Sequence, residues 1–152
     1  MDRGGSREMF LGEYQHTLDA KGRVSLPARF RAEVTGKIVV AKGLDNCLYI
    51  YPAEEYARFK DSLLEGSDFD PRKRQLRRFF MTGAYETELD SAGRVSIPPK
   101  LREHAGLSRD IAVTGNGNRI ELWDSEAWDS YNDASTEKIE DLASELADAG
   151  LL

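Results

Sequence analysis

The chain has 152 residues, 40% of them hydrophobic and 32% charged, with a net charge of −6 and one cysteine. That length builds one compact domain, or two small units packed as one. It excludes a helical membrane span, because no apolar run approaches the ~20 residues needed. It also excludes an internal disulfide framework, and with no signal-like apolar stretch in residues 1–8 a cytoplasmic protein is expected.

In chain order, Phe10 to Leu18 reads as a strand, as do Val24 to Leu26, Ile38 to Ala41 and Cys47 to Tyr51. Leu44-Asp45-Asn46 supplies a turn between the last two. Pro27 and Pro98 are placed at the first position of two short helices ending near Gly36 and Gly106. A longer helix covers Ala53 to Leu64, with Tyr56, Phe59 and Leu63 at helical spacing. Asp70-Pro71 is an N-cap followed by a first-turn proline, opening a helix to about Thr82. Gly115-Asn116-Gly117-Asn118 gives the second half its own tight turn. The last expected element is an amphipathic helix from about Asp133, with Ile139, Leu142, Ala143 and Leu146 on one side and acids on the other.

The chain repeats itself. Leu18 to Arg31 recurs as Leu89 to Arg102, with eight of 14 positions identical. Beyond the motif, Gly12 and Tyr14 match Gly83 and Tyr85, and Tyr51, Glu54 and Tyr56 match Trp123, Glu126 and Trp128. Units this small bury little surface alone, so the halves are expected to share one core. The reading is mainly β with short helices (α+β): repeats at residues 9–65 and 83–132, a linking helix at 66–82, and an acidic C-terminal helix at 133–152.

Charge is sorted along the chain. Residues 1–120 hold 20 Lys and Arg against 17 Asp and Glu, whereas 121–152 hold one Lys against 10 acids. Such asymmetry goes with a separate basic face. The repeated Asp-x-x-Gly-Arg stretch is a self-stabilised turn, because aspartate accepts backbone N–H groups two residues on and glycine supplies a positive φ. It delivers Arg23 and Arg94 to fixed places. A guanidinium suits phosphate or the O6/N7 edge of guanine, although an ordinary hairpin followed by an exposed arginine has the same spelling. Lys21 adds charge to the first loop where the second has Ala92. The basic run Arg72 to Arg78 is a second candidate for a phosphate contact, read in preference as a solvated helix face or a partner for the acidic C-terminal helix. His16, His104 and Cys47 lack metal-site spacing, and the paired aromatics Tyr51/Trp123 and Tyr56/Trp128 are read as core. No enzyme, cofactor or metal is expected.

The two Asp-x-x-x-Arg loops (Asp19 to Arg23, Asp90 to Arg94), Met9-Phe10-Leu11-Gly12 and the prolines Pro27 and Pro98 resemble the MraZ family, related to AbrB-type regulators, from Met9 to about Tyr131. The resemblance implies a pseudo-two-fold swapped-hairpin, or double-split, β-barrel. It implies sequence-specific double-stranded DNA binding through Arg23 and Arg94, with Lys21 alongside and Asp19 and Asp90 as loop organisers. Arg29, Arg31, Lys100 and Arg102 are candidate phosphate contacts. It further implies a closed homo-oligomeric ring on short direct repeats, nucleoid association, and repression of the division and cell wall operon carrying its own gene. Family members begin at the equivalent of Met9, so residues 1–8 are read as an upstream extension. The rival reading is an assembly module, such as an antitoxin-like barrel whose acidic tail binds a basic partner.

Overall fold

The computed structural model describes residues 9–66 and 68–152; the extension read at residues 1–8 lies outside them. The first half runs β1 (Glu13–Thr17), β2 (Arg23–Ser25), α1 (Ala28–Arg31), β3 (Lys37–Lys42), β4 (Leu48–Pro52), α2 (Ala53–Leu64) and α3 (Pro71–Thr82). The second half repeats that order as β5 (Tyr85–Glu88), β6 (Arg94–Ser96), α4 (Pro99–His104), β7 (Asp110–Gly115), β8 (Ile120–Asp124), α5 (Ser125–Glu137) and α6 (Ile139–Asp148).

Six strands form one antiparallel sheet in the order β1-β7-β8-β4-β3-β5. The halves exchange edges: β1 pairs with β7 of the second half, and β5 with β3 of the first. The remaining strands, β2 and β6, pair only with each other as a short antiparallel ribbon. The closed barrel implied by the resemblance is not what the described residues form. The large sheet stays open at β1 and β5, and a single bridge, Leu18 to Val24, is all the ladder that continues from β1 into the ribbon.

Strand alternation divides the interior into two layers. Ile38, Val40, Leu48, Ile50, Ile111, Val113, Ile120 and Leu122 face the ribbon and α1, meeting Val24, Val95, Leu26, Ile97 and Phe30. On the opposite face Tyr49, Tyr51, Ala112 and Trp123 meet α2, α3 and α5. There Tyr51 stacks on Phe59 at 5.1 Å and Trp123 lies 5.2 Å from Trp128, so these paired aromatics are core, and buried Cys47 joins them.

Three local expectations are adjusted. Gly12, at φ +95°, breaks the first strand, so Phe10 makes only an isolated bridge and β1 begins at Glu13. Pro27 and Pro98 have extended ψ and sit one residue before their helices, as caps and not as first helical residues. The C-terminal helix does not begin at Asp133. Asp124 caps a helix from Ser125 by accepting the N–H of Ala127, and a break at Lys138 (φ −108°) separates α5 from α6. Among the described residues no helix is long and apolar enough to cross a membrane.

Candidate nucleic-acid interface

Each repeated loop is closed by its own aspartate. Asp19 Oδ1 accepts the backbone N–H of Lys21 and of Arg23, both at 2.9 Å, and Oδ2 accepts Nε–H of Arg23 at 2.8 Å. Asp90 repeats this with Ala92 (3.0 Å), Arg94 N–H (2.9 Å) and Arg94 Nε–H (2.9 Å). The backbone N–H of Arg23, followed by its guanidinium and the N–H of Lys21, holds the Asp19 carboxyl below its ordinary range. Arg94 and Ala92 do the same for Asp90. Each aspartate therefore fixes a turn and the first part of an arginine side chain together.

The ribbon then sets the two arginines side by side. Val24 and Val95 are directly opposed and buried, so Arg23, Ser25, Arg94 and Ser96 project from the other face. Arg23 is opposite Ser96, and Arg94 opposite Ser25. The arginines are thus offset by two residues, about 7 Å along the strand and about 5 Å across it. Their side chains are 25% and 33% exposed, and their bonds to the aspartates use Nε. Both guanidiniums are clear of the core and on one surface. Alternation from Arg23 and Arg94 would have located Ser25 and Ser96 on this face, a signal the motif reading did not use.

The flanking cations divide. Arg29 and Lys100 are exposed on α1 and α4, and Lys21 is exposed in the first loop. Arg31 crosses to the opposite repeat, where Nη1 donates to the carbonyl of Ala92 at 3.2 Å. Arg102 lies over Gly22 of the first loop, close enough that a Cβ there would come 2.7 Å from Nη1, and its buried Nε has no partner among the described residues. Gly22 and Gly93 adopt φ of +76° and +78°. They are needed both for the turn and for the flat surface on which the other repeat's arginine rests. Burial, then the nearby Arg31, lowers the His16 imidazole from its usual value, which favours the neutral ring beside this cationic cluster.

The basic run on α3 stands apart from these loops. Arg77 Nε and Nη2 donate to the carbonyls of Leu63 and Leu64 at 2.9 and 3.1 Å, and Arg77 also pairs with Asp68. It closes the C-terminus of α2, whose last carbonyls have no partner within the helix. Arg72 pairs with the capping Asp70, while Arg78 is exposed.

The duplicated α+β chain thus presents two aspartate-locked arginine turns on one two-stranded ribbon. The sequence profile of the family described as "MraZ protein, putative antitoxin-like" matches twice, at residues 9–79 and 80–149. The chain is similar to the proteins named transcriptional regulator MraZ from Halothermothrix orenii and Heliobacterium modesticaldum, at 43% identity, and from Syntrophomonas wolfei, at 44%. Each match covers 94% of this chain and all of the relative. The chain belongs to the MraZ family.

Proposed function

We propose that this chain is a DNA-binding transcriptional regulator that reads short direct repeats through its two Asp-x-x-x-Arg loops. It represses the division and cell wall operon that carries its own gene. The observation that carries this reading is that Arg23 and Arg94 share the solvent-side face of the ribbon, half-buried and each held by its own aspartate. Arg23 and Arg94 contact base edges, Lys21 and the exposed Arg29 and Lys100 contact phosphates, and Arg31 and Arg102 reach the backbone while bracing the loops. Both repeats, 9–65 and 83–132, act as one unit about the linking helix.

One loop pair makes few contacts. A closed ring of copies meeting repeats about one helical turn apart, roughly 10 bp, multiplies them by effective concentration. The names of the relatives support a role in transcription, and nucleoid association follows from the DNA reading. The rival, an assembly module, draws support from the acidic residues of α5 and α6. In that reading, removing residues 139–152 abolishes capture of a basic partner and leaves binding to a single-repeat duplex unchanged.

The test is a fluorescence-anisotropy titration of a duplex carrying the direct repeats upstream of the gene. Arg23→Ala and Arg94→Ala are each expected to raise Kd by about 5- to 150-fold, corresponding to 1–3 kcal/mol per bidentate base contact. Circular dichroism should stay unchanged. Normal binding by both variants removes the loops from the mechanism.

A further inference from the structure

The two repeats differ most on the outer face of the sheet. In the first half α3 folds back over that face and stacks Phe80 on Tyr49, with ring centroids 6.4 Å apart. α6, at the matching place in the second half, packs against α5 with every residue exposed. Beside α5 the sheet carries a cavity of about 500 Å³, a volume suited to a small molecule. Its floor is one row of residues opposed across four strands: Glu13 on β1, Thr114 on β7, Glu121 on β8 and Tyr49 on β4. The repeat register sets Ala84, Ala41 and Tyr49 of the first copy against Glu13, Thr114 and Glu121 of the second. Polar residues therefore stand under the cavity where small or aromatic ones stand under α3.

Glu121 is buried and fully used. Its Oε2 accepts Nε–H and Nη2–H of Arg119 at 2.9 and 2.8 Å and Nδ2–H of Asn116 at 3.0 Å. Its Oε1 accepts Nε1–H of Trp123 at 3.2 Å. Arg119 in turn lies over the Tyr49 ring at 3.8 Å. This network fixes two walls and cancels its own charge. Four polar groups around the cavity remain outside it. Thr114 is only 5% exposed, yet its Oγ1 has no hydrogen-bond partner among the described residues, and neither has the buried Nε1–H of Trp128. Buried polar groups are normally paired, so two orphans on one cavity wall point to a ligand. Glu13 and Asp45 stand exposed at the rim, with no ion-pair partner among the described residues.

Charge and shape then select the ligand. The two rim carboxylates make the mouth negative. The Trp123 ring lies 5.2 Å from Trp128 and 5.0 Å from Tyr131, and aromatic faces grouped in this way attract a cation. Among the described residues no cluster of His, Cys, Asp and Glu is arranged to hold a metal ion, so the cation is organic. An indole N–H beside a hydroxyl calls for an oxygen on the same molecule. We infer that this cavity binds a small amino alcohol, its ammonium among the three rings and the Glu13 and Asp45 carboxylates, its oxygen on Thr114 and Trp128. The site lies across the six-stranded sheet from the arginine ribbon and does not depend on the DNA reading.

The experiment uses the full chain and choline as the probe. Both tryptophans of the protein line the cavity, so their emission reports on it directly. Choline chloride, titrated at constant ionic strength against sodium chloride, should shift that emission to saturation. The uncharged isostere 3,3-dimethylbutan-1-ol should bind about 10-fold more weakly. Glu13→Gln with Asp45→Asn should weaken choline by about 5-fold or more with an unchanged Tm. Asparagine is chosen because Asp45 has φ of +65°, which asparagine tolerates. Tetramethylammonium, which has no oxygen, should bind less tightly than choline, and Thr114→Val should narrow that gap. Phosphatidylcholine vesicles separate two sources of the same chemistry. Protein that sediments with them takes a lipid headgroup, and protein that stays in solution while saturating with choline takes the free amine. No saturable response to choline, or equal binding of its uncharged isostere, overturns the site. Unweakened choline binding by the carboxylate variant does the same, and an unchanged gap in Thr114→Val overturns the oxygen contact.

Discussion

Replacing Gly93 with alanine tests whether the second loop is braced from the opposite repeat. Gly93 has φ of +78°, where an L-residue costs about 1–2 kcal/mol. A Cβ there would also lie 2.5 Å from Nη1 of Arg31 and closer still to its Cδ. Arg31 must then leave a favoured rotamer and release the Ala92 carbonyl, for about 1–2 kcal/mol more. The sum is about 2–4 kcal/mol, or roughly 5–15 °C in Tm for a protein of this size. Gly36 isolates the first contribution, since it has φ of +76° and no atom within 4 Å of an added Cβ. Gly93→Ala should therefore fall below Gly36→Ala by about 1–2 kcal/mol. Gly22→Ala, which meets the movable end of Arg102, should lie between them. The assay is thermal unfolding by circular dichroism at one fixed protein concentration, because assembly would otherwise shift Tm. Equal Tm losses for Gly93→Ala and Gly36→Ala would refute the idea that Arg31 braces the loop.

Acid should loosen the arginine loops. Asp19 and Asp90 are held below their ordinary value of 3.8, so their contribution is complete above that value and is lost as pH falls through the lower folded-state value. Urea unfolding should be insensitive to these groups between pH 7 and about 5 and weaken below about 4; a variant with both residues changed to Asn should lose less stability there, and an equal loss contradicts the assignment. Burial pushes the Cys47 thiol far above its usual value, so alkylation at pH 8 should be negligible in the native protein and complete in denaturant; fast native labelling would place Cys47 outside the core. Arg77→Ala should cost about 2 kcal/mol by uncovering the Leu63 and Leu64 carbonyls, read as a lower urea midpoint, whereas exposed Arg78→Ala should change it by less than about 0.5 kcal/mol.

Helix limits were readable where a residue's chemistry admits one structure. Asp70-Pro71 and the apolar spacing of Tyr56, Phe59 and Leu63 placed α3 and α2 at Pro71–Thr82 and Ala53–Leu64. The start of α5 was missed because its apolar residues, Trp128 and Tyr131, are sparse among polar ones. The register pairing Tyr56 with Trp128 nevertheless carries α2 onto that segment. The loops were readable as turns, but not the crossing of Arg31 and Arg102 to the opposite repeat. That crossing depends on β2 and β6 pairing across about 70 residues, and nothing in a local pattern encodes it. Barrel closure likewise depends on strand edges meeting in space.

Duplication leaves two copies of every surface, and selection for one geometry keeps some alike and drives others apart. The loop face stayed alike: Val24 opposes Val95, and the aspartate bonds agree to within about 0.1 Å because both obey the same turn chemistry. Two equal arginines from one rigid ribbon suit a ligand whose own parts recur. The helical face diverged. Phe79 and Phe80 hold α3 on the sheet, while Leu142 and Leu146 give α6 an apolar stripe that the other described residues leave exposed. Opposite charge on α3 and α6, at matching places in the two halves, is where the pseudo-symmetry of the chain breaks down.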